Sequence, residues 1–266
     1  MSETQQMPLP STPRFDLSGR TAVVTGGNSG IGRATAEILA ASGASVAILS
    51  RNEAAGRGAA SRLDQDGVRA DWFGCDVTEE SSIEAALSGV VDKLGTPTIL
   101  INSAGLLAAG TVESTSHDTW DSIMAVNATG PYLCSKHTVP LMREAGSGVI
   151  VHVSSEAGLV GIRNLAAYCA AKAAVVALTR CMALDLAADA IRVNCVCPGT
   201  TLTPMVEQAA AKLPDPGAEL TRYASARPLN RLASPHEIAS AVALLASDDC
   251  AFATGSILAV DGGYTA

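Results

Sequence analysis

Aromatic side chains are scarce in this chain: Phe, Tyr and Trp together make 3% of its 266 residues. No stacking platform for a flat polycyclic ligand is expected, and Trp120, Tyr132 and Tyr223 are the rings left to contribute to a pocket. Histidine occurs four times, at 117, 137, 152 and 236, without H-x-H or H-x-x-x-H spacing, so a metal centre is not expected. The seven cysteines include no C-x-x-C pair and read as reduced, mostly buried thiols of a cytoplasmic protein. Cys195 and Cys197 alternate on a predicted strand, so both point to one face of a packed sheet. Basic charge is the minority: 18 scattered Lys and Arg stand against 26 Asp and Glu. The net charge of -8 argues against nucleic acid or an anionic membrane as partner. No run of about eighteen uncharged apolar residues is present, so no membrane span is expected.

What is present is apolar bulk in a regular order. With 48% hydrophobic residues, the chain suffices for one well-buried domain over residues 15–266. Residues 1–14 are polar and Pro-containing, and read as a disordered tail. Short apolar runs at 21–26, 44–50, 68–74, 98–105, 148–155, 191–199 and 256–263 predict about seven strands. Helical patterns lie between them near 31–42, 53–66, 79–94, 118–144, 165–188 and 234–246. Thr78 to Ser81 and Ser234 to Glu237 look like helix starts, the second a capping box with Pro235 at the first helical position. The alternation predicts an α/β fold: a doubly wound parallel sheet with helices on both faces. The least regular stretch, 199–233, holds four prolines, and its part up to 227 is a candidate substrate lid.

The first predicted strand runs into Thr25-Gly26-Gly27-Asn28-Ser29-Gly30-Ile31-Gly32, and a helix follows. Glycines let the backbone turn and approach a pyrophosphate, while the helix start offers free N–H groups and partial positive charge. Gly26, Asn28, Ser29, Gly30, Ile31 and Gly32 are thus candidate dinucleotide-binding residues. The second strand ends at Ser50-Arg51, without the carboxylate that would grip a ribose 2′-hydroxyl and repel a 2′-phosphate. Arg51, with Arg33 in the first helix, favours NADP(H) over NAD(H).

Tyr168 and Lys172 are four apart on a predicted helix, hence on one face. An ammonium beside a phenol favours the phenolate, so the spacing predicts a lowered Tyr168 pKa and an acid–base that serves a substrate oxygen. Ser154-Ser155 end the preceding strand, where strand ends open onto the ligand crevice. Asn127 is an amide in an apolar helix and needs a partner if buried.

Taken with Asn102-Ser103-Ala104-Gly105, Asp76-Val77, Pro198-Gly199 and Asp261-Gly262-Gly263, these residues resemble the single-domain branch of the short-chain dehydrogenase/reductase family, over nearly the whole chain. The resemblance implies a Rossmann-type sheet and interconversion of a ketone and a secondary alcohol. It implies that Asn127, Ser155, Tyr168 and Lys172 are catalytic, with Tyr168 the proton donor or acceptor. Asn127 would position a water next to Lys172, which would hold the nicotinamide ribose. Asp76 and Val77 would meet the adenine; Asn102, Ala104 and Gly105 would brace the sheet beside the cofactor. Pro198, Gly199, Thr201 and Thr203 would hold the nicotinamide end. Ser103 departs from the family's usual second Asn.

The substrate pocket is expected from Leu106, Glu156, Leu159, Ile162 and Met205, with aliphatic neighbours such as Leu107 and Val206, which suits a moderately apolar small molecule. Glu156, if it faces that pocket, disfavours anions. A 3-oxoacyl-(acyl carrier protein) reductase is the alternative, disfavoured because the helix bearing Tyr168 ends in Asp185 to Asp189 rather than in basic residues. A non-catalytic dinucleotide-binding regulator is the more remote one. The family's habit and the Ala-rich face of 165–188 imply a homo-oligomer, tetramer or dimer.

Overall fold

The computed structural model describes residues 15–65 and 67–266, so the expected tail at 1–14 lies outside the described residues. In chain order the elements are β1 (Thr21–Thr25), α1 (Gly30–Ala41), β2 (Ser45–Ser50), α2 (Glu53–Gln65), β3 (Ala70–Gly74), α3 (Glu80–Leu94) and β4 (Ile99–Asn102). Then come α4 (His117–Met124), α5 (Gly130–Glu144), β5 (Gly148–Val153), α6 (Ala166–Leu186), β6 (Ile191–Pro198), α7 (Pro204–Ala210), α8 (Pro216–Ser225), α9 (Pro235–Ala246) and β7 (Ile257–Val260). The strands form one seven-stranded sheet in the order β3-β2-β1-β4-β5-β6-β7, with every neighbouring pair parallel.

Strand periodicity divides the core between the two faces. Val24, Ile48, Ile101 and Val151 pack with α1, α2 and α9. Val23, Leu49, Leu100 and Ile150 pack on the opposite side, with α3, α5 and α6. The strand order reverses direction between β1 and β4, and the crevice outside the carboxyl ends of these strands is where such sheets bind ligands.

Three local expectations change. The helix expected over 118–144 is interrupted by a π-helical turn, Ala125–Thr129. Asn127 causes it: its Nδ2 donates to the Ile123 carbonyl (3.0 Å), and Pro131 just beyond lacks a backbone donor. The start expected at Thr78 is not a side-chain cap; Thr78 Oγ1 instead donates to Asp76 Oδ1 (2.8 Å), and Glu79 at the N-cap makes no side-chain cap bond. The capping box of Ser234 and Glu237 is present on α9. The 199–227 stretch is not an irregular loop: Thr203 caps α7 and Asp215 caps α8, each with Pro at the helix start. The segment Ala166–Asp189 is long and apolar enough to cross a membrane by composition, with mean hydropathy 1.4, although Lys172, Arg180, Asp185 and Asp189 interrupt it. Here Val175 and Val176 pack on Cys195 and Cys197 of β6, Lys172 reaches the Val153 carbonyl of β5, and Ala171 packs against Ile123 of α4.

Candidate active site

The turn between β1 and α1 is built on glycines. Gly26 adopts φ +67°, a left-handed conformation that side chains disfavour. A Cβ on Gly32 would stand 2.4 Å from the Gly26 carbonyl oxygen, so only glycine lets α1 start this close to β1. Ser29 at the N-cap makes no side-chain cap bond, and the first turn holds no acidic residue. The free amides and positive end of α1 therefore face an open cavity of about 250 Å³, lined by Gly26, Asn28, Ser29, Gly30, Ile31 and Gly32. Ala104, Gly105, Tyr168, Lys172 and Thr203 complete much of that lining. An extended dinucleotide phosphate fits this cradle: backbone donors, no opposing carboxylate and glycine where a Cβ would intrude.

Other expected cofactor residues sit differently. Ser50 is buried, with its Oγ 3.0 Å from the Trp72 indole nitrogen. Arg51 reaches Asp76, Nη1 to Oδ2 3.6 Å, through a mostly exposed side chain. Partial burial opposes ionisation of Asp76, but bonds from Thr78 and Arg51 outweigh it and hold its pKa below the usual range. Val77 is buried and would touch a Cβ on Gly130. Asn102 points into the core, donating to Ser135 Oγ at 3.3 Å and lying 3.1 Å from His152 Nδ1. Pro198, Gly199 and Thr201 line a second cavity rather than the first.

That second cavity, about 230 Å³, adjoins the first. Ile31, Ser154, Tyr168, Thr203 and Met205 line both. Ser155 faces the second, held at the start of a 3₁₀ turn where its Oγ accepts the Ala157 N–H (3.1 Å). Lys172 is locked to the end of β5: Nζ donates to the Val153 carbonyl (2.9 Å), and its own carbonyl accepts from Ser154 Oγ (2.8 Å). Asn127 is fully buried; its amide donates to the Leu106 carbonyl (2.8 Å) and to Ile123, and its Oδ1 accepts the Leu106 N–H (3.2 Å). It thus fixes the loop after β4 where that loop enters the site.

The electrostatics correct one expectation. Lys172 Nζ is 5.6 Å from the Tyr168 ring centroid, and it does not lower the phenol's pKa. Burial pushes Tyr168 up to about 12, against a lowering bond from Ser155. Burial also pulls Lys172 down to about 8. Desolvation exceeds the ammonium's attraction at this distance, so the phenol keeps its proton at neutral pH.

The substrate residues divide. Glu156, Ile162 and Met205 line the second cavity, as do Leu107 and Val206. Leu106 and Leu159 do not; each is 38% exposed. Sequence reasoning missed Thr200, Arg222, Arg227 and Tyr264, which line it from beyond β6 and from the C-terminus. Arginine on α8 within the suspected lid was the available signal. Glu156 does face that cavity, but it is buried in the wall and paired with Arg227. The structure also gathers Glu80, Glu84 and His137, with ligand atoms within 4.8 Å of one another, a cluster between α3 and α5 that linear spacing does not reveal. It is exposed, and Lys136 already pairs with Glu80 (2.5 Å).

Comparison with known proteins settles the family. A family model described as enoyl-(acyl carrier protein) reductase matches residues 26–265. The chain belongs to the short-chain dehydrogenase/reductase family. It is 43% identical to a 2-(S)-hydroxypropyl-CoM dehydrogenase of Xanthobacter autotrophicus over 94% of this chain and 98% of that one. It is 45% identical to a cis-4-hydroxycyclohexanecarboxylate dehydrogenase of Sinomonas cyclohexanicum, over 93% and 97%. The solved structure of Thermoplasma acidophilum aldohexose dehydrogenase superposes with a TM-score of 0.86 at 35% identity, over 94% and 96%. The protein is therefore an oxidoreductase of CH–OH groups from a family that uses nicotinamide dinucleotides.

Proposed function

We propose that the protein interconverts a ketone and a secondary alcohol with NADP(H), using Tyr168 as proton donor and acceptor. The supporting observation is that Tyr168 lines both cavities, with Ser155 at the substrate side and Lys172 at the cofactor side. A bound nicotinamide supplies or accepts the hydride. The chain's own residues do the rest. Ser155 holds the substrate oxygen, and Tyr168, protonated in the cofactor-free protein, gives its proton to that oxygen as the carbonyl is reduced. In the reverse direction the phenolate takes the proton back. Lys172, locked beside the cofactor cavity by its bond to the Val153 carbonyl, would hold the nicotinamide ribose.

NADP(H) is favoured because β2 ends at Ser50 with no carboxylate, Arg51 follows it directly, and Arg33 lies in the first turn of α1. Asp76 and Glu37 partly neutralise these arginines, in pairs of 3.6 and 3.5 Å. Such exposed pairs are weak, on the order of 0–1 kcal/mol, and would yield to a phosphate. A carrier-protein substrate is disfavoured because α6 closes on Asp185 and Asp189, the latter paired with Arg143 (2.7 Å). A regulator would have no use for the Ser155, Tyr168 and Lys172 set. Leu184, 82% exposed on α6, suits a homo-oligomer built on that helix.

A panel of ketones and alcohols, followed by NADPH and NADH absorbance, tests the reading. Turnover of at least one pair, with higher kcat/KM for NADPH, is expected. No turnover with either cofactor across the panel would contradict it.

A further inference from the structure

Glu156 directly follows Ser155, and Arg227 follows α8; both line the substrate cavity. Their side chains are each 5% exposed and paired through Arg227 Nη2 and Glu156 Oε1. The same Nη2 reaches Thr200 Oγ1, and Nη1 donates to the Tyr223 carbonyl. The guanidinium carbon also lies 4.9 Å from the Tyr264 ring centroid.

Two polar atoms of the pair remain unmatched. Glu156 Oε2, an acceptor, and Arg227 Nε, a donor, are buried without a hydrogen-bond partner. Unmet groups of this kind are rare in folded proteins and carry a desolvation penalty. A hydroxyl both donates and accepts, so one that reaches the pair from the cavity can answer either atom. An apolar ketone answers neither. An anion answers only the donor; it also meets repulsion from Asp261, whose charge reaches Glu156, and from Glu156 itself above about pH 7, to which burial pushes that carboxyl up. The two arginines of the lining already hold carboxylates, Arg227 with Glu156 and Arg222 with Glu219.

We propose that Glu156 and Arg227 form a recognition site for a neutral hydroxyl next to the reacting carbon, so that the substrate is a diol or hydroxyketone. The placement follows from the shared cavity, which Ser155, Glu156, Tyr168 and Arg227 all line. This deepens the oxidoreductase reading and rests on it. The pair is a specificity device, separate from the proton chemistry of Tyr168. A site built to bond a substrate hydroxyl can reject the analogue that lacks it by as much as about 10,000-fold.

The test compares 2-hydroxycyclohexanone with cyclohexanone and with 4-oxocyclohexanecarboxylate as substrates for reduction. The expected kcat/KM for the hydroxyketone exceeds that for each of the other two at least about tenfold. In Glu156→Gln, which keeps size but removes one acceptor, the hydroxyketone-to-ketone ratio should fall to within about threefold. In parallel, ligand-detected NMR on Tyr168→Phe with cofactor bound should show cyclohexane-1,2-diol binding more tightly than cyclohexanol. Turnover of hydroxyketone and ketone at ratios within twofold overturns the hydroxyl site and leaves the oxidoreductase reading intact. A preference for the carboxylate also overturns it. Selective diol binding with no turnover of any compound supports the hydroxyl site and removes the oxidoreductase reading. Binding and turnover of none of them overturn the hydroxyl site. If Glu156→Gln fails to fold, the wild-type ratios decide alone.

Discussion

The cofactor cavity and the substrate cavity meet at Tyr168 but are walled by different means. The first is backbone on one side, from the Gly26 turn, the open N-terminus of α1 and the loop after β4, and is closed from later in the chain by Tyr168, Lys172 and Thr203. The second is side chain: Glu156, Thr200, Arg227 and Tyr264 converge from β5, β6, the end of α8 and the C-terminus. Backbone walls present generic donors to a phosphate that every nicotinamide dinucleotide carries. Side-chain walls present particular groups, and the buried pair at 156 and 227 is the least generic of them. The contrast teaches that, in this fold, cofactor binding is fixed by chain geometry and substrate choice by long-range contacts.

The largest effect should come from the backbone wall. Gly32→Ala forces a Cβ onto the Gly26 carbonyl at 2.4 Å, so the turn must open. Cofactor affinity, measured by calorimetry, is expected to drop by at least about 100-fold, a loss on the order of 3 kcal/mol for overpacking against backbone. Affinity within threefold of wild type would break the contrast from its first side. Next is the side-chain wall. Arg227→Ala leaves Glu156 buried without its cation and should destabilise the fold by about 3–5 kcal/mol in urea unfolding. Glu156→Leu combined with Arg227→Leu should destabilise less than Arg227→Ala alone, because no lone charge remains buried.

A smaller, opposite effect is expected at Lys172. Its pKa is depressed to about 8 from 10.5, so the folded state disfavours the charged form that prevails at neutral pH. Lys172→Met should abolish turnover yet stabilise the cofactor-free protein near pH 7 by about 1–3 kcal/mol. The gain should shrink as pH rises from 8 and vanish above 10.5, where the unfolded chain also loses the proton. A variant less stable than wild type at pH 7 would show that its bond to the Val153 carbonyl outweighs desolvation. The smallest effect belongs to Arg51→Ala, expected to narrow the NADPH-to-NADH ratio of kcat/KM by about 3- to 10-fold, in keeping with an exposed charge.

Legibility in the sequence follows the same division. The glycine turn, the strand alternation and the Tyr168–Lys172 spacing are local, and a local pattern survives in one dimension. The seven parallel strands and both cavities' shared residues were readable for that reason. The partner of Glu156 was not, because Arg227 lies 71 positions away. Leu106 and Leu159 looked like pocket residues because apolarity near a strand end does not say which way a side chain turns. The π-helical turn at Asn127 hid inside an unbroken helical pattern, since the Asn127 bonds to the Ile123 and Leu106 carbonyls leave no mark on the spacing of apolar residues. The phenol's pKa was misread because spacing gives proximity to Lys172 but not burial, and burial dominates.

The most direct measurement is the pairing of turnover and cofactor affinity in Tyr168→Phe. Removing one oxygen atom takes away the proton that moves, while the Gly26–Gly32 cradle is untouched. The account predicts loss of turnover by at least about 1,000-fold, within the range for a lost acid–base group, with cofactor affinity within about threefold of wild type. Turnover that survives the substitution would contradict it.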